Sequence, residues 1–424
     1  MRLPEIFAVS AVAVLLAGCA SYHLGPVNGG TFTNLAGTFE LVPALNVDNG
    51  RRVVLSRGIN IFDGGVFLGS TNGGTGSLTL QSNCVMIVNS NLTLVSSSLT
   101  STSTLTLNGG SLIMTNGVIQ VGPAGSGQFI LTGGNHIIRQ LWLGSSDNNG
   151  SGFFHMSGGS LKILGNGTGP GQGLVSNWVI VDGGDLDGSG TSITIGDGHN
   201  AGAYLTGNAV GQYDTMYVGY SPGFTGTYTQ TNGTMMIYTN LIIGDCDCSG
   251  GAVGEVTLIG GTLYVTNAAH TAILDVLNGT VVLNAGATLV VDNLIITNAC
   301  GHFIKAGGIL NLYNPPLLDP NLDADGDGES NAAEAAAGTD PLDPTSVFQI
   351  TSVTVTNGHD ISVNWTTEGD HSYVVQTNGN LSSGSFNDLS GVIAASGSGA
   401  GTTNYVHHGA VTNQAGFYRV RLGP

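Results

Sequence analysis

Residues 216–265 read MYVGYSPGFTGTYTQTNGTMMIYTNLIIGDCDCSGGAVGEVTLIGGTLYV, and they write one structural unit twice in succession. The first copy is MYVG, a loop, then GTYTQTNGTMMIYTN; the second is LIIG, a loop, then GEVTLIGGTLYVTN. In each copy three short runs of alternating apolar residues are separated by glycine. Alternation with period 2 is the signature of a strand with one buried face. Three such runs per unit predict a three-sided coil.

The opening strand and its glycine recur as VFLG at Gly69, IQVG at Gly122, LWLG at Gly144, ITIG at Gly196, MYVG at Gly219 and LIIG at Gly244. Copies lie about 22 to 26 residues apart, or about twice that where one is degenerate, a period that signals a solenoid. After each loop a frame repeats: glycine, apolar residues at +2 and +4, a turn, and apolar residues at +9 and +11. It selects Leu78, Leu80, Val85 and Ile87; Leu105, Leu107, Leu112 and Met114; Phe129, Leu131, His136 and Ile138; Phe154, Met156, Leu161 and Ile163; and Val256, Leu258, Leu263 and Val265. Stacked units place each strand on its equivalent in the next rung and the equivalent side chains in one interior. The expected fold is all-β: a three-sided parallel β-helix over residues 20–312 with room for roughly 12 rungs, right-handed by the default for parallel crossovers. An array of hairpins forming a two-sheet sandwich is the alternative.

Composition agrees. The 69 glycines and a charged fraction of 8% describe tight turns and short strands, with few of the long charged side chains that coat helices. The net charge of −18, with nine Lys and Arg, argues against nucleic acid as a partner.

Residues 1–19 have the organisation of an export signal: Arg2, an apolar core from Ile6 to Leu16, and then LAGC ending at Cys19. That tetrapeptide resembles the bacterial lipoprotein lipobox. The resemblance implies lipidation of Cys19 and, with Ala20 next, sorting to the outer membrane of a Gram-negative cell. Contact with the membrane would then be through the lipid anchor only. Plain export, with cleavage after Ala20, is the alternative. In an exported chain Cys84, Cys246, Cys248 and Cys300 are free to pair, but Cys246 and Cys248 are awkwardly close for bonding each other. Distant pairing or incidental thiols are expected, with a soft metal site at DCDC as the sharper reading.

The loop after each opening glycine varies in length, so these loops should emerge along one edge of the rod, where solenoids present binding surfaces. Asp147, Tyr220, Phe224, Asp245 and Asp247 are the candidate contacts for an extracellular glycan or surface ligand. VDGGDLDGSG interrupts the frame, and Asp182, Asp185 and Asp187 are the candidate carboxylates for general acid and base work. Asp-Gly pairs are also what turns use, and three such turns in ten residues need no catalysis. His136 falls at an inward position, where a lone histidine is commonly a satisfied core residue.

LTLNGGSLIMTNG and VTLIGGTLYVTN resemble the passenger-associated strand repeats of autotransporters and other large exported bacterial surface proteins. The resemblance implies export and a β-helix. It does not imply self-translocation, since the residues after Ser346 are too few for a membrane barrel.

Composition shifts at residues 313–346 to an acidic, proline-bearing linker. There Asp323, Asp325, Asp327, Gly328 and Glu334 occupy positions 1, 3, 5, 6 and 12 of an EF-hand-type loop, with the Glu329 carbonyl at 7 and Asn331 at 9. Alternate carboxylates converge on one hard cation, and Glu334 closes the site. The expected cofactor is Ca2+. Ser330 at position 8, and the absence of a helix pattern before Asp323, make the loop resemble the solitary calcium loops of thrombospondin type 3 and dockerin modules. A short helix is expected from Ala332 to Ala337, ending at Gly338.

Residues 347–424 carry strand-like runs FQITSVTV, ISVNW, YVVQT, TNYVH and FYRVRL, the pattern of a small β-sandwich with Trp365 and Tyr373 in its core. The segment resembles fibronectin type III-like accessory domains. Arg419 and Arg421 are expected at the surface, and His407 and His408 as an adjacent pair at a strand end or on a metal.

Two functions follow. One is an exported, surface-anchored structural or adhesive protein with a calcium-stabilised joint. The other is a β-helix polysaccharide lyase or glycoside hydrolase, which would want Lys or Arg beside its carboxylates. Arg51, Arg52, Arg57, Arg139, Lys162 and Lys305 are all remote in sequence from the aspartate-rich loops.

Overall fold

The computed structural model describes residues 31–34, 40–42, 44–48, 50–69, 74–95, 100–144, 150–167, 174–395, 397, 399–411 and 416–424. Residues 1–19 with Cys19, and Asp147 among the corner-loop candidates, lie outside the described residues. The chain divides into two compact units, one of residues up to Gly301 with 306–317, the other of residues 302–305 with 318–424.

The first unit is a parallel β-solenoid. In one turn, 225–230, 234–237 and 240–243 form its three sides, and they pair in parallel with 253–258, 261–265 and 273–276 of the next turn. Along the first side, strands at 31–34, 51–55, 76–80 and 103–108 begin a succession that continues through 278–283.

Alternation does the packing. Leu78, Leu105, Phe129, Phe154 and Val179 follow one another in register and are all buried. The Phe129 and Phe154 rings stand 5.0 Å apart. Each such side chain contributes about 1.5–3 kcal/mol of burial, and the column is continuous because parallel strands stack like on like.

The corner glycines explain how the chain turns. Gly69, Gly122, Gly144, Gly196, Gly219 and Gly244 all have φ between 66° and 84°, in the left-handed region that favours glycine. At Gly244 a Cβ would also collide with the Asn278 carbonyl of the following turn.

The repeat frame holds in four of the five copies. In the first it is one residue out. Cys84, Met86 and Val88 point inward, and Val85 and Ile87 lie at the half-buried positions between them. The strand register shifts between Ser82 and Val85, so an extra residue at this corner reverses the phase of everything after it.

His136 is 1% exposed, and both ring nitrogens are used: Nδ1 accepts from the Leu112 N–H at 3.0 Å, and Nε2 lies 2.8 Å from the Gly133 carbonyl. Burial holds its pKa below the ordinary value. It is a neutral core residue. Cys248 and Cys300 form a disulfide across 52 residues, while Cys84 is buried and Cys246 exposed as free thiols.

In the second unit, Ile350–Thr356, Asp360–Thr367 and Gly401–His407 form one antiparallel sheet. Ser372–Asn378 pairs with Phe417–Leu422 and two short strands in another. Val363 and Trp365 from one sheet meet Tyr373 and Val375 from the other in a shared core. Arg421 pairs with Asp388 at 2.8 Å, and the Arg419 guanidinium lies 4.5 Å from the Phe386 ring centroid. The adjacent histidines part company: His407 contacts the Tyr418 hydroxyl, and His408 contacts Asp360.

Candidate metal centre

Residues 323–334 wind into a tight loop entering the helix Asn331–Ala337. Each early aspartate shapes the turn with one carboxylate. Asp323 accepts from Gly326 N–H at 2.7 Å and Gly328 N–H at 2.8 Å, Asp325 from Asp327 N–H at 3.2 Å, and Asp327 from Glu329 N–H at 2.7 Å. Gly326 and Gly328 adopt φ of 81° and 101°, which permits the curl. Ser330 caps the helix by accepting from Ala333 N–H, and Gly338 ends it at φ 79°.

This bonding consumes one oxygen each of Asp325 and Asp327 and leaves the other of each buried. Among the described residues, Asp325 Oδ2, Asp327 Oδ2 and both oxygens of Glu334 are buried without a hydrogen-bond partner. Ligand oxygens of Asp323, Asp325 and Asp327 lie within 4.8 Å of one another. Glu334, on the first turn of the helix, is 1% exposed. Burial, and then the charges of Asp325, Asp327, Asp323 and Asp340, push its carboxyl up to about 8. Burial also pushes Asp325 up to about 6. Unpaired buried carboxylate oxygens are costly, and a divalent cation relieves desolvation and mutual repulsion together. The donor set fits a hard cation.

Asn331 also braces the loop. Its amide oxygen accepts from Ala324 N–H at 3.2 Å and its amide nitrogen donates to the Asp319 carbonyl at 2.6 Å, bracing the loop ends. Further support comes from residues 302–305. Phe303 N–H donates to the Ala324 carbonyl and Lys305 N–H to the Leu342 carbonyl, and Lys305 Nζ pairs with Asp340 at 2.7 Å.

Residues 323–344 match the bacterial TSP3 repeat. The TSP3 repeat is a calcium-binding motif typical of extracellular proteins, and its segment here includes the aspartate cluster, the helix and Asp340. Comparison of the chain with curated proteins and with solved structures found no match. Among the described residues, no helix is long and apolar enough to cross a membrane.

The other candidates are distributed along the solenoid. Asp182 lies at the end of the first side, 3.0 Å from His155 Nε2. Asp185 and Asp187 follow beyond the corner, and Lys162, remote in sequence, is 2.6 Å from Asp187. Lys162 also donates to Ser189 Oγ at 2.6 Å. Burial alone would raise Asp187, but hydrogen bonds from Lys162 and Ser189 hold it below the usual carboxylate range, while burial and then Asp187 raise Asp185. The sequence does not single out His155 as a partner, and Lys162, remote in sequence, proves adjacent to Asp187. Their signal was a separation from Asp182 and Asp187 of one turn of the coil.

In the corner loops, Tyr220 is exposed and packs edge-on against Tyr217. Asp245 accepts from Asp247 and Ala252 N–H groups, and Asp247 accepts from Ser249, so both build their own turn. Asn278 and Asn298 donate to the Asp247 and Cys246 carbonyls, which ties this loop to later turns.

Proposed function

We propose that this chain is an exported structural protein of the cell surface, adhesive in role, that binds one calcium ion in its TSP3 segment. Asp323, Asp325, Asp327 and Glu334 supply the carboxylates and Glu329 its carbonyl; Asn331 holds the loop closed. The observation that carries the reading is the set of four buried carboxylate oxygens without a donor among the described residues. The ion neutralises them, so its part is to complete the fold of residues 318–346. Extracellular modules of this kind hold calcium at about 10⁻⁴ to 10⁻³ M, which suits a permanent structural ion.

Lipidation of Cys19 belongs to the same proposal as the means of surface anchoring. The lyase or hydrolase alternative draws less support, since Lys162 is tied to Asp187 and Ser189 and Asp182 is paired with His155 on the other side of a corner.

The test is thermal unfolding of the full chain with 10 mM calcium or with chelator, together with a palmitate feed of expressing cells. A calcium-dependent rise in Tm and label lost in Cys19→Ser support the reading. An unmoved Tm overturns the calcium role, and an unlabelled chain overturns the anchor.

A further inference from the structure

The first side of the solenoid carries an exposed aromatic surface. Two lines of outward residues run across successive turns in strict register: Phe153, Trp178 and Gly202 in one, His155, Ile180 and Tyr204 in the other. Trp178 is 43% exposed and Tyr204 37%. Gly202 has no side chain to lift the indole, and a Cβ there would stand 2.6 Å from it, so the Trp178 ring lies across the neighbouring turn. The indole and the Tyr204 ring are tilted by only 13°, with centroids 6.3 Å apart. The two rings are near-parallel neighbours on adjacent turns.

We propose that this surface binds a neutral, extended β-linked polysaccharide strand, with sugar rings lying on Trp178 and Tyr204. The proposal deepens the adhesive reading and rests on it.

Three observations select the ligand. Pyranose rings present flat C–H faces that pack on aromatic faces, and a platform of near-parallel rings matches consecutive sugars of one chain. Turns repeat every 4.7–4.9 Å or so, close to the length of one sugar in an extended chain, so a strand running across the turns keeps step with the side chains. Polar groups fringe the rings for sugar hydroxyls: the His155–Asp182 pair at 3.0 Å, and Thr229, in register beyond Tyr204. Charge excludes polyanions, because Asp182 stands at the margin of a protein of net charge −18.

The experiment titrates the calcium-loaded full chain with cellohexaose, and separately with polygalacturonate, following tryptophan fluorescence and calorimetric heat. Trp178→Ala and Tyr204→Ala should each weaken cellohexaose binding about tenfold, whereas Trp142→Ala, which removes an exposed indole from a different side, should leave it unchanged. Gly202→Ala deletes no ring but displaces the indole, and it too should weaken binding; Trp178→Phe should restore part of it. No binding of cellohexaose overturns the proposal. So does equal binding by Trp178→Ala, preference for polygalacturonate, or self-association that Trp178→Ala abolishes. Calcium uptake is read on the same samples before sugar is added, so loss of sugar binding with calcium retained sinks this proposal alone.

Discussion

Asp325 and Glu334 each bury carboxylate oxygens that no donor among the described residues reaches, and the Asp325 charge adds to burial in pushing Glu334 toward its protonated form, while burial, with the Asp327 and Asp323 charges, does the same to Asp325. Without a cation the loop therefore holds protons that the unfolded chain, with ordinary carboxylates, has already released. Between about pH 4.5 and 8 the folded state binds more protons than the unfolded one, so the calcium-free segment loses stability as pH rises through that window. Calcium binding needs both groups ionised. Titration at pH 6.5 in buffers of different ionisation enthalpy should show proton release with each ion bound, and affinity should fall from pH 8.5 to 5.5. Heat independent of the buffer would contradict this.

Glu334→Gln separates charge from shape. It removes a ligand and a buried charge together, so calcium affinity should fall at least about tenfold while the calcium-free protein melts no lower than the parent at pH 8. Melting curves with and without chelator give both answers. A calcium-free variant that unfolds far below the parent would mean that the carboxylate is held by something other than a cation.

The Cys248–Cys300 disulfide closes a long loop within the solenoid. Chain entropy puts its contribution at about 4 kcal/mol for this separation, an upper figure if the reduced chain keeps structure. The double variant Cys248→Ser with Cys300→Ser should unfold at lower denaturant and be cut faster by protease in the 245–251 loop. Unchanged cleavage would show that Asn278 and Asn298 hold the loop unaided.

Gly244 and Gly250 flank the same corner in different circumstances. Gly244→Ala meets both a φ of 68° and the Asn278 carbonyl, whereas a Cβ at Gly250 meets nothing within 4 Å. Denaturant unfolding should show a loss of about 1–3 kcal/mol or more for the first and within about 0.5 kcal/mol for the second. Equal effects would remove the steric account of the repeat.

His136 adds a test at acid pH. Burial favours its neutral form, so the unfolded state gains a proton first on acidification. Its contribution is full above the ordinary histidine pKa and is lost as pH falls toward the depressed folded value. His136→Phe should flatten that slope and cost about 1–3 kcal/mol at pH 7.5 by leaving the Leu112 N–H unpaired.

The corner glycines and the calcium loop were legible because their physics is local. A left-handed turn selects glycine wherever it occurs, and ligands on alternate residues of one loop keep their spacing in the sequence. Register was less legible. Alternation reports only a phase, and one extra residue at Ser82–Asn83 exchanged Val85 and Ile87 for Cys84, Met86 and Val88 without altering the look of the run. The lateral partners were hidden by a wrong measure of distance. In a solenoid the nearest neighbours lie one turn away, so Lys162 reaches Asp187 and Trp178 meets Tyr204 although neither pair is close in the chain. The Asn331 amide also bonds to Ala324 and Asp319, contacts that ligand spacing does not reveal.

The most direct measurement is calorimetric titration of the full chain with calcium at pH 8, beside Asp325→Asn and Glu334→Gln. One ion per chain should bind at roughly 10⁻⁴ to 10⁻³ M, with uptake lost or at least about tenfold weaker in both variants. No uptake up to 10 mM, or uptake that both variants retain unchanged, would contradict it.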